Sequence, residues 1–490
     1  MIQGIDYAAV APPLLCAVAA VAVLLADAFD VPRRWLGAVT SLFLAAALVA
    51  VVALTAGDRR ATFCVPSGLR SGGPRSCSYV TDDFTLLFQG LVLAAAIVVV
   101  LLSLRTIEVD DLPAGEYHFL LLSAIVGALA LVAARDLVTL VVSLETLSLP
   151  VFALVGLRRR DGVAAEAALK LFLVSVVSTA IMLFGISLLY GVTGAMHLDR
   201  LSAGLRAVPS DLKPVAAVGA VLVLAGFAFK VAAVPFHFWA PDVYQGAPLP
   251  VAAFLSVVSK AAGFAGLAIV VGLGMPSFGH VWGPVVGALA AVTMTLGNLM
   301  ALRQRTAIRL LAWSSVAQSG YMLAPLAVGE RRLPEAVAAT AAYVALYAVM
   351  NLGAFAVVAG AQKPGSPQIE LDGFRGLARR DPLSGTALAF FLICLAGLPP
   401  GVMGLFAKVV VFRAAVAGDV TWLAVVMAVN TVIGLYYYLA WAVRVFGPSG
   451  EGAAARPGLA VRAAIAATAA GAVVLSVAPQ LVLSAVAAAT

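Results

Sequence analysis

Long apolar runs, separated by short charged or Gly/Pro-rich breaks, recur along nearly the whole chain. They lie near 10–30, 35–56, 84–104, 117–134, 137–157, 165–191, 214–240, 248–273, 279–301, 307–328, 335–360, 384–417, 420–446 and 461–487. Runs of about 18 apolar residues or more are long enough to cross roughly 30 Å of hydrocarbon as helices, which satisfy their own backbone hydrogen bonds. The pattern therefore predicts an all-α polytopic membrane protein, a single transmembrane domain over residues 1–490 with about fourteen helices. Two runs are interrupted in their middles, at "KVAAVPFHFWAPD" by Pro235 and at "LAGLPPGVMGLFAK" by Pro399 and Pro400, and each has a lysine close to its break. Paired broken helices at corresponding places are the sequence sign of inverted repeats with ion sites near the midplane. The repeats would cover residues 117–273 and 279–446, about five helices each. The plainer alternative is two proline kinks that serve packing only.

Composition sharpens this picture. The chain is 63% hydrophobic and 11% charged, with a mean hydropathy of +1.05, far outside the range of soluble domains. No basic residue precedes the first run and the first ones follow it, at Arg33 and Arg34, the wrong polarity for a secretory signal. The net charge of +7 reflects basic loops rather than a nucleic-acid partner. Sixteen loop Lys and Arg, Lys363 and Arg456 among them, fall on one side of the predicted topology and ten, including Arg70, on the other. The richer side is the inner one, so both termini face outward. That puts "GDRRATFCVPSGLRSGGPRSCSYVTDD" on the outer, oxidising face, where Cys64 and Cys77 form a disulfide or remain two free thiols. Cys16 and Cys394 sit inside apolar runs, and no cysteine spacing fits a zinc or iron–sulfur site, so no redox centre or metal is expected on this chain.

Five ionisable residues fall well inside apolar spans: Glu145, Lys170, Lys230, Lys260 and Lys408. Each costs about 2.5 to 3.5 kcal/mol at a helix centre, or roughly 12 to 18 kcal/mol for all five before pairing. A structural ion pair explains Glu145 with one lysine but not four lysines facing one acid; Lys170, nearer a helix end, could snorkel. A buried lysine gives up its proton more readily, and a nearby carboxylate restores its hold, so a Glu that approaches and withdraws can load and unload it. His237 is a candidate relay or a histidine that braces the broken helix. Thr293, Thr295, Asn298, Ser314, Ser315, Gln318, Ser319, Tyr321, Tyr343, Tyr347, Asn351, Asn430, Thr431, Tyr436, Tyr437 and Tyr438 add neutral polar groups that can hold a hydrated path or bond helix to helix.

The stretch "VPFHFWAPDVYQGAPLPVAAFLSVVSKAA" resembles the signature of subunit N of bacterial proton-pumping NADH-quinone oxidoreductase, respiratory complex I. The wider antiporter-like fold is shared with subunits L and M and with the Mrp cation/proton antiporters. The likeness runs from "SLETLSLPVFALVG" to "CLAGLPPGVMGLFAK". It implies a proton-translocating subunit in the bacterial plasma membrane, with Glu145 and Lys230 as a coupled pair, Lys170 as an auxiliary, Lys260 as the central relay and Lys408 as the terminal carrier. It also implies no cofactor on this chain, FMN and iron–sulfur clusters in partner subunits that reduce a quinone, and subunit M and the small membrane subunits as neighbours in the bilayer. A Mrp-type cation/proton antiporter subunit is the main alternative reading, and a scaffold whose buried charges only fix packing is the third.

Overall fold

The computed structural model describes residues 4–66, 75–362, 369–448 and 457–490; Arg70, Lys363 and Arg456 lie outside them. Its helices are α1 (Ala11–Ala28), α2 (Arg33–Leu54), α3 (Asp83–Val109), α4 (Ala114–Leu131), α5 (Leu137–Val155), α6 (Gly162–Thr193), α7 (Leu198–Arg206), α8 (Lys213–Lys230), α9 (Trp239–Gly246), α10 (Leu249–Phe254), α11 (Lys260–Ile269), α12 (Gly279–Ala301), α13 (Ala307–Leu323), α14 (Leu333–Ala361), α15 (Leu377–Arg380), α16 (Pro382–Ala396), α17 (Val402–Ala417), α18 (Thr421–Phe446), α19 (Leu459–Val477) and α20 (Gln480–Ala489). Among the described residues, twelve helical segments are long and apolar enough to cross a membrane, with α10 and α11 joined by a π-helical turn into one of them. Aspartates set the entry of several helices. Asp82, Asp136, Asp161 and Asp381 each accept from backbone N–H groups of the first turn, which would otherwise go unpaired at the edge of an apolar phase.

One hairpin lies outside the helices. Strands β1 (Arg60–Cys64) and β2 (Cys77–Thr81) pair antiparallel, and a disulfide joins Cys64 to Cys77 across the ladder. The hairpin packs on the α4–α5 turn, where Arg135 N–H donates to the Ser78 carbonyl. This end of the bundle is called the hairpin face below. Cys16 and Cys394 are buried as free thiols.

Both interrupted spans open where prolines stand. Helix α8 ends at Lys230, Ala232 takes a left-handed conformation (φ 57°) at a cost of about 1–2 kcal/mol, and the chain turns through Pro235 and His237 before α9. Helix α16 ends on left-handed Gly397 (φ 81°), and Pro399 and Pro400 separate it from α17. Two further features recur 170 to 173 positions apart. Backbone hydrogen bonds join the start of α5 to the start of α7, Leu137 to Met196 and Leu198 to Arg135; the same pair joins α13 to the segment after α14, Ala307 to Ile369 and Leu371 to Arg305. Gly127 lets α4 touch the α5 backbone, where a Cβ would stand 2.6 Å from the Thr146 carbonyl carbon, and Gly297 does the same for α12 on α13, 2.7 Å from the Ala317 Cα.

Candidate functional site

Lys230, Lys260 and Lys408 are all buried, and among the described residues none has a carboxylate within ion-pair distance. Lys230 closes α8, its stem laid against Gly263 of α11, where a Cβ would sit 2.9 Å from its Cγ. Its Nζ donates to the Ser148 hydroxyl at 2.8 Å, and Ser148 in turn donates to the Leu144 carbonyl. Ser148 is three residues beyond Glu145 on α5, so both project to one side of that helix. Glu145 itself is turned to α6, accepting from the Thr179 hydroxyl at 2.7 Å. A cavity of about 10 Å³, room for one water, is lined by Ser148, Lys230 and Ser259 among apolar side chains.

Lys260, 2% exposed, follows the π-helical turn and donates to the Ser315 carbonyl and hydroxyl, both at 2.6 Å, and to the Ser319 hydroxyl at 2.8 Å. Ser319 also donates to the carbonyl of Val231, the residue after Lys230, so one hydroxyl spans the two lysines' surroundings. Tyr347 donates to Ser315 and completes the set around Lys260; a second set on the same helix α13, joined to the first by no direct hydrogen bond among the described residues, links Ser314 to Tyr438, Gln318 to Tyr438 and Tyr343 to Gln318. Tyr343 stacks on Tyr321, and the Lys408 ammonium lies 5.7 Å from the Tyr321 ring centre. Lys408 donates at 2.5 Å to the carbonyl of Ala396, the last residue of α16. That carbonyl end carries the negative pole of a half-helix, which favours an ammonium there.

Two candidates stand apart from this line. Lys170, its side chain 45% exposed, pairs with Glu166 at 2.7 Å and Asp242 at 2.9 Å, and Asp242 also holds Arg309. It belongs to an ion-pair cluster joining α6, α9 and α13 on the face opposite the hairpin. His237 is buried in the first break beside Trp313, ring centres 5.5 Å apart, and its Nδ1 has no hydrogen-bond partner among the described residues. Tyr436 is 70% exposed on the outside of α18 and does not join the buried polar chain, whereas Tyr437 and Tyr438 face inward.

The transmembrane family described as NADH:quinone oxidoreductase/Mrp antiporter matches residues 134–434, which contain every lysine and carboxylate just described. A Streptomyces griseus protein named NADH-quinone oxidoreductase subunit N 2 is 55% identical over 91% of this chain and 84% of its own. The chain belongs to the subunit N family of NADH-quinone oxidoreductases. A Salinispora tropica member of the same family is 46% identical over 90% of this chain and 85% of its own. Among solved structures, a chain of respiratory complex I from Thermus thermophilus with bound aureothin superposes with a TM-score of 0.80 at 33% identity, covering 98% of this chain and all of that one. A chain of the Mrp complex from a Dietzia species superposes at 0.84 with 21% identity, over 98% of this chain and 96% of that one, a likeness of fold.

Within this subunit N family member, several partners of the buried charges are hydroxyls that the sequence does not single out. Ser148 and Thr179 sit in apolar helices, where serine and threonine ordinarily bond their own backbone. The signal available was the i, i+3 spacing of Ser148 from Glu145. Thr293 of α12 accepts from the Val234 N–H inside the first break, a long-range tie with no local signature.

Proposed function

We infer that this chain is the proton-translocating membrane subunit N of a bacterial NADH-quinone oxidoreductase, moving protons through Glu145, Lys230, Lys260 and Lys408 while electrons pass elsewhere. One observation carries the reading: three lysines buried with no carboxylate in ion-pair distance among the described residues, set beside separate hydrogen-bonded groups of Ser, Tyr and Gln side chains. A packing role gains nothing from lysines held only by hydroxyls, carbonyls and rings, each costing about 2.5 to 3.5 kcal/mol to insert.

Glu145 is the control element. With its carboxylate turned to Thr179 its hold on Lys230 is weak; turned toward Ser148 it approaches the ammonium. Halving a charge separation from about 8 to 4 Å at an effective dielectric of about 20 is worth about 2 kcal/mol, or roughly thirtyfold in proton occupancy. A proton released by Lys230 passes to Lys260 and then by the Tyr and Ser chain to Lys408, with water filling the gaps between side chains. His237 is a relay within the first break, and Lys170 sets the charge of the face opposite the hairpin.

Joining α8 to α9 and α16 to α17 as broken spans, and counting α13, gives fourteen crossings with both termini on the hairpin face. The recurring bonds, from the start of α5 to α7 and from the start of α13 to the segment after α14, and the Gly127 and Gly297 contacts support inverted repeats over 117–273 and 279–446. The hairpin face is outermost in the plasma membrane, where the Cys64–Cys77 disulfide is at home. Subunit M and the small membrane subunits are the neighbours, and FMN and iron–sulfur clusters belong to other subunits. The test is purification from native membranes: flavin and iron–sulfur subunits should come with the chain, and isolation with cation-antiporter components alone would overturn the assignment.

A further inference from the structure

The hairpin face holds a polar assembly that the proton path does not use. A cavity of about 550 Å³ opens between the hairpin, the start of α5 and helix α7, and its walls include Arg59, Arg75, Arg135 and Arg206 against the single carboxylate of Asp199. Asp199 already accepts from the Ser76 hydroxyl at 2.7 Å. Among the described residues Arg59 and Arg75 form no ion pair, and Arg206 donates to the neutral Ser202 hydroxyl. Arg135 is 93% buried (7% exposed); its Nη1 donates to the Val132 and Ala134 carbonyls and its Nη2 to Asp82 and the Thr85 hydroxyl, so that Nε is its one donor without a hydrogen-bond partner among the described residues. Arg59, Arg75 and Arg206 bring three guanidinium charges with no ion pair among the described residues to the cavity of a buried arginine whose Nε is free, and their planar forks match phosphate oxygens.

The depth of the cavity and its neighbour define the anion. The lining comes from helix ends, at the level where apolar helix gives way to polar loop. Arg135 and Leu273 are shared with a second cavity of about 420 Å³, whose walls, apart from Asp82, Arg135, Glu330 and Thr490, are apolar and include Phe84, Ile269, Leu333 and Val337. A basic chamber and an apolar groove meeting at one buried arginine suit a molecule that is anionic at one end and hydrocarbon at the other. We propose that these two cavities bind an anionic phospholipid, its phosphodiester among Arg59, Arg75, Arg135 and Arg206 and an acyl chain along the groove. Helix α7 is bonded to the start of α5 at Asp136–His197, so the lipid braces the helix that carries Glu145.

The test is native mass spectrometry of the purified complex after exchange into phosphatidylglycerol or phosphatidylcholine, with a parallel arm in inorganic phosphate without lipid. Phosphatidylglycerol should be retained in preference to phosphatidylcholine. Each of Arg59→Gln, Arg75→Gln and Arg206→Gln should weaken retention about fivefold, and the three together roughly a hundredfold. Arg60→Gln, which removes a neighbouring charge paired with Asp6 outside the cavity, should leave retention unchanged. Equal retention of the two lipids, loss in Arg60→Gln as large as in Arg75→Gln, or phosphate binding with no lipid preference would each overturn the proposal. Arg75 is exposed, so its single substitution decides the matter if the triple variant fails to fold.

Discussion

The two breaks are built alike and charged differently. Each is a half-helix ending in a buried setting, with a lysine alongside and a glycine against the lysine's stem, Gly263 for Lys230 and Gly397 for Lys408. On α5, facing the first break, stands Glu145; 170 positions later on α13 the corresponding residue is Ser315. The first break is also tied into the other half of the molecule, through Thr293 to Val234 and Ser319 to Val231, whereas Lys408 bonds the carbonyl of its own broken span. A carboxylate can change how tightly its lysine holds a proton by moving; a helix-end carbonyl and a tyrosine ring cannot. On the proposed proton path, the difference assigns a division of labour, with the first half switching and the second half conducting.

Removing the switch has the largest expected effect. Lys230→Ala or Glu145→Ala should lower proton pumping at least tenfold in an assembled complex, read as acidification of proteoliposomes during NADH oxidation. If both variants pump normally, the halves do not differ in the way described. Next in size is giving the second half an acid of its own. Ser315→Asp places a carboxylate beside Lys260, should pin its proton, and is expected to slow turnover severalfold in the same assay; a faster enzyme would mean the missing acid limits conduction. A smaller effect is expected from breaking the conducting chain at one link. Tyr438→Phe removes the hydroxyl that joins Ser314 to Gln318, and a two- to threefold loss of pumping should follow, with quinone binding untouched.

How much of this was legible in the sequence depends on how local each signal is. The breaks were legible because Pro235, Pro399 and Pro400 cannot continue a helix. The buried lysines were legible because their insertion cost demands a reason. Tyr436 misled because it adjoins Tyr437 and Tyr438, yet about 100° of helical rotation per residue turns it away from the core. Lys170 reads as an intramembrane charge until folding brings Asp242, from beyond the break, against it. Ser148 and Thr179 were not legible, and Thr293 was legible only as an intramembrane polar group, since the partners of all three lie across the fold.

The smallest expected effect concerns the hairpin face rather than the path. Burial pushes the Asp82 carboxyl up, but the Arg135 charge and hydrogen bond, with the Thr85 N–H and hydroxyl, outweigh it and hold its pKa below the usual 3.8. Its contribution to stability is therefore present above the unfolded value and lost as pH falls through the lower folded one. In thermal unfolding of the detergent-solubilised chain the pair's stabilisation should be full and independent of pH above about pH 5, and the midpoint should fall more steeply in the wild type than in Asp82→Asn below about pH 4.

The central claim is that Lys230 itself takes up and releases the translocated proton. Lys230→Arg tests it most directly, because arginine keeps the positive charge and cannot readily give it up. The measurement is the number of protons pumped per NADH oxidised by the assembled complex in proteoliposomes. The account predicts a reduced stoichiometry with the complex intact; a wild-type stoichiometry would contradict it.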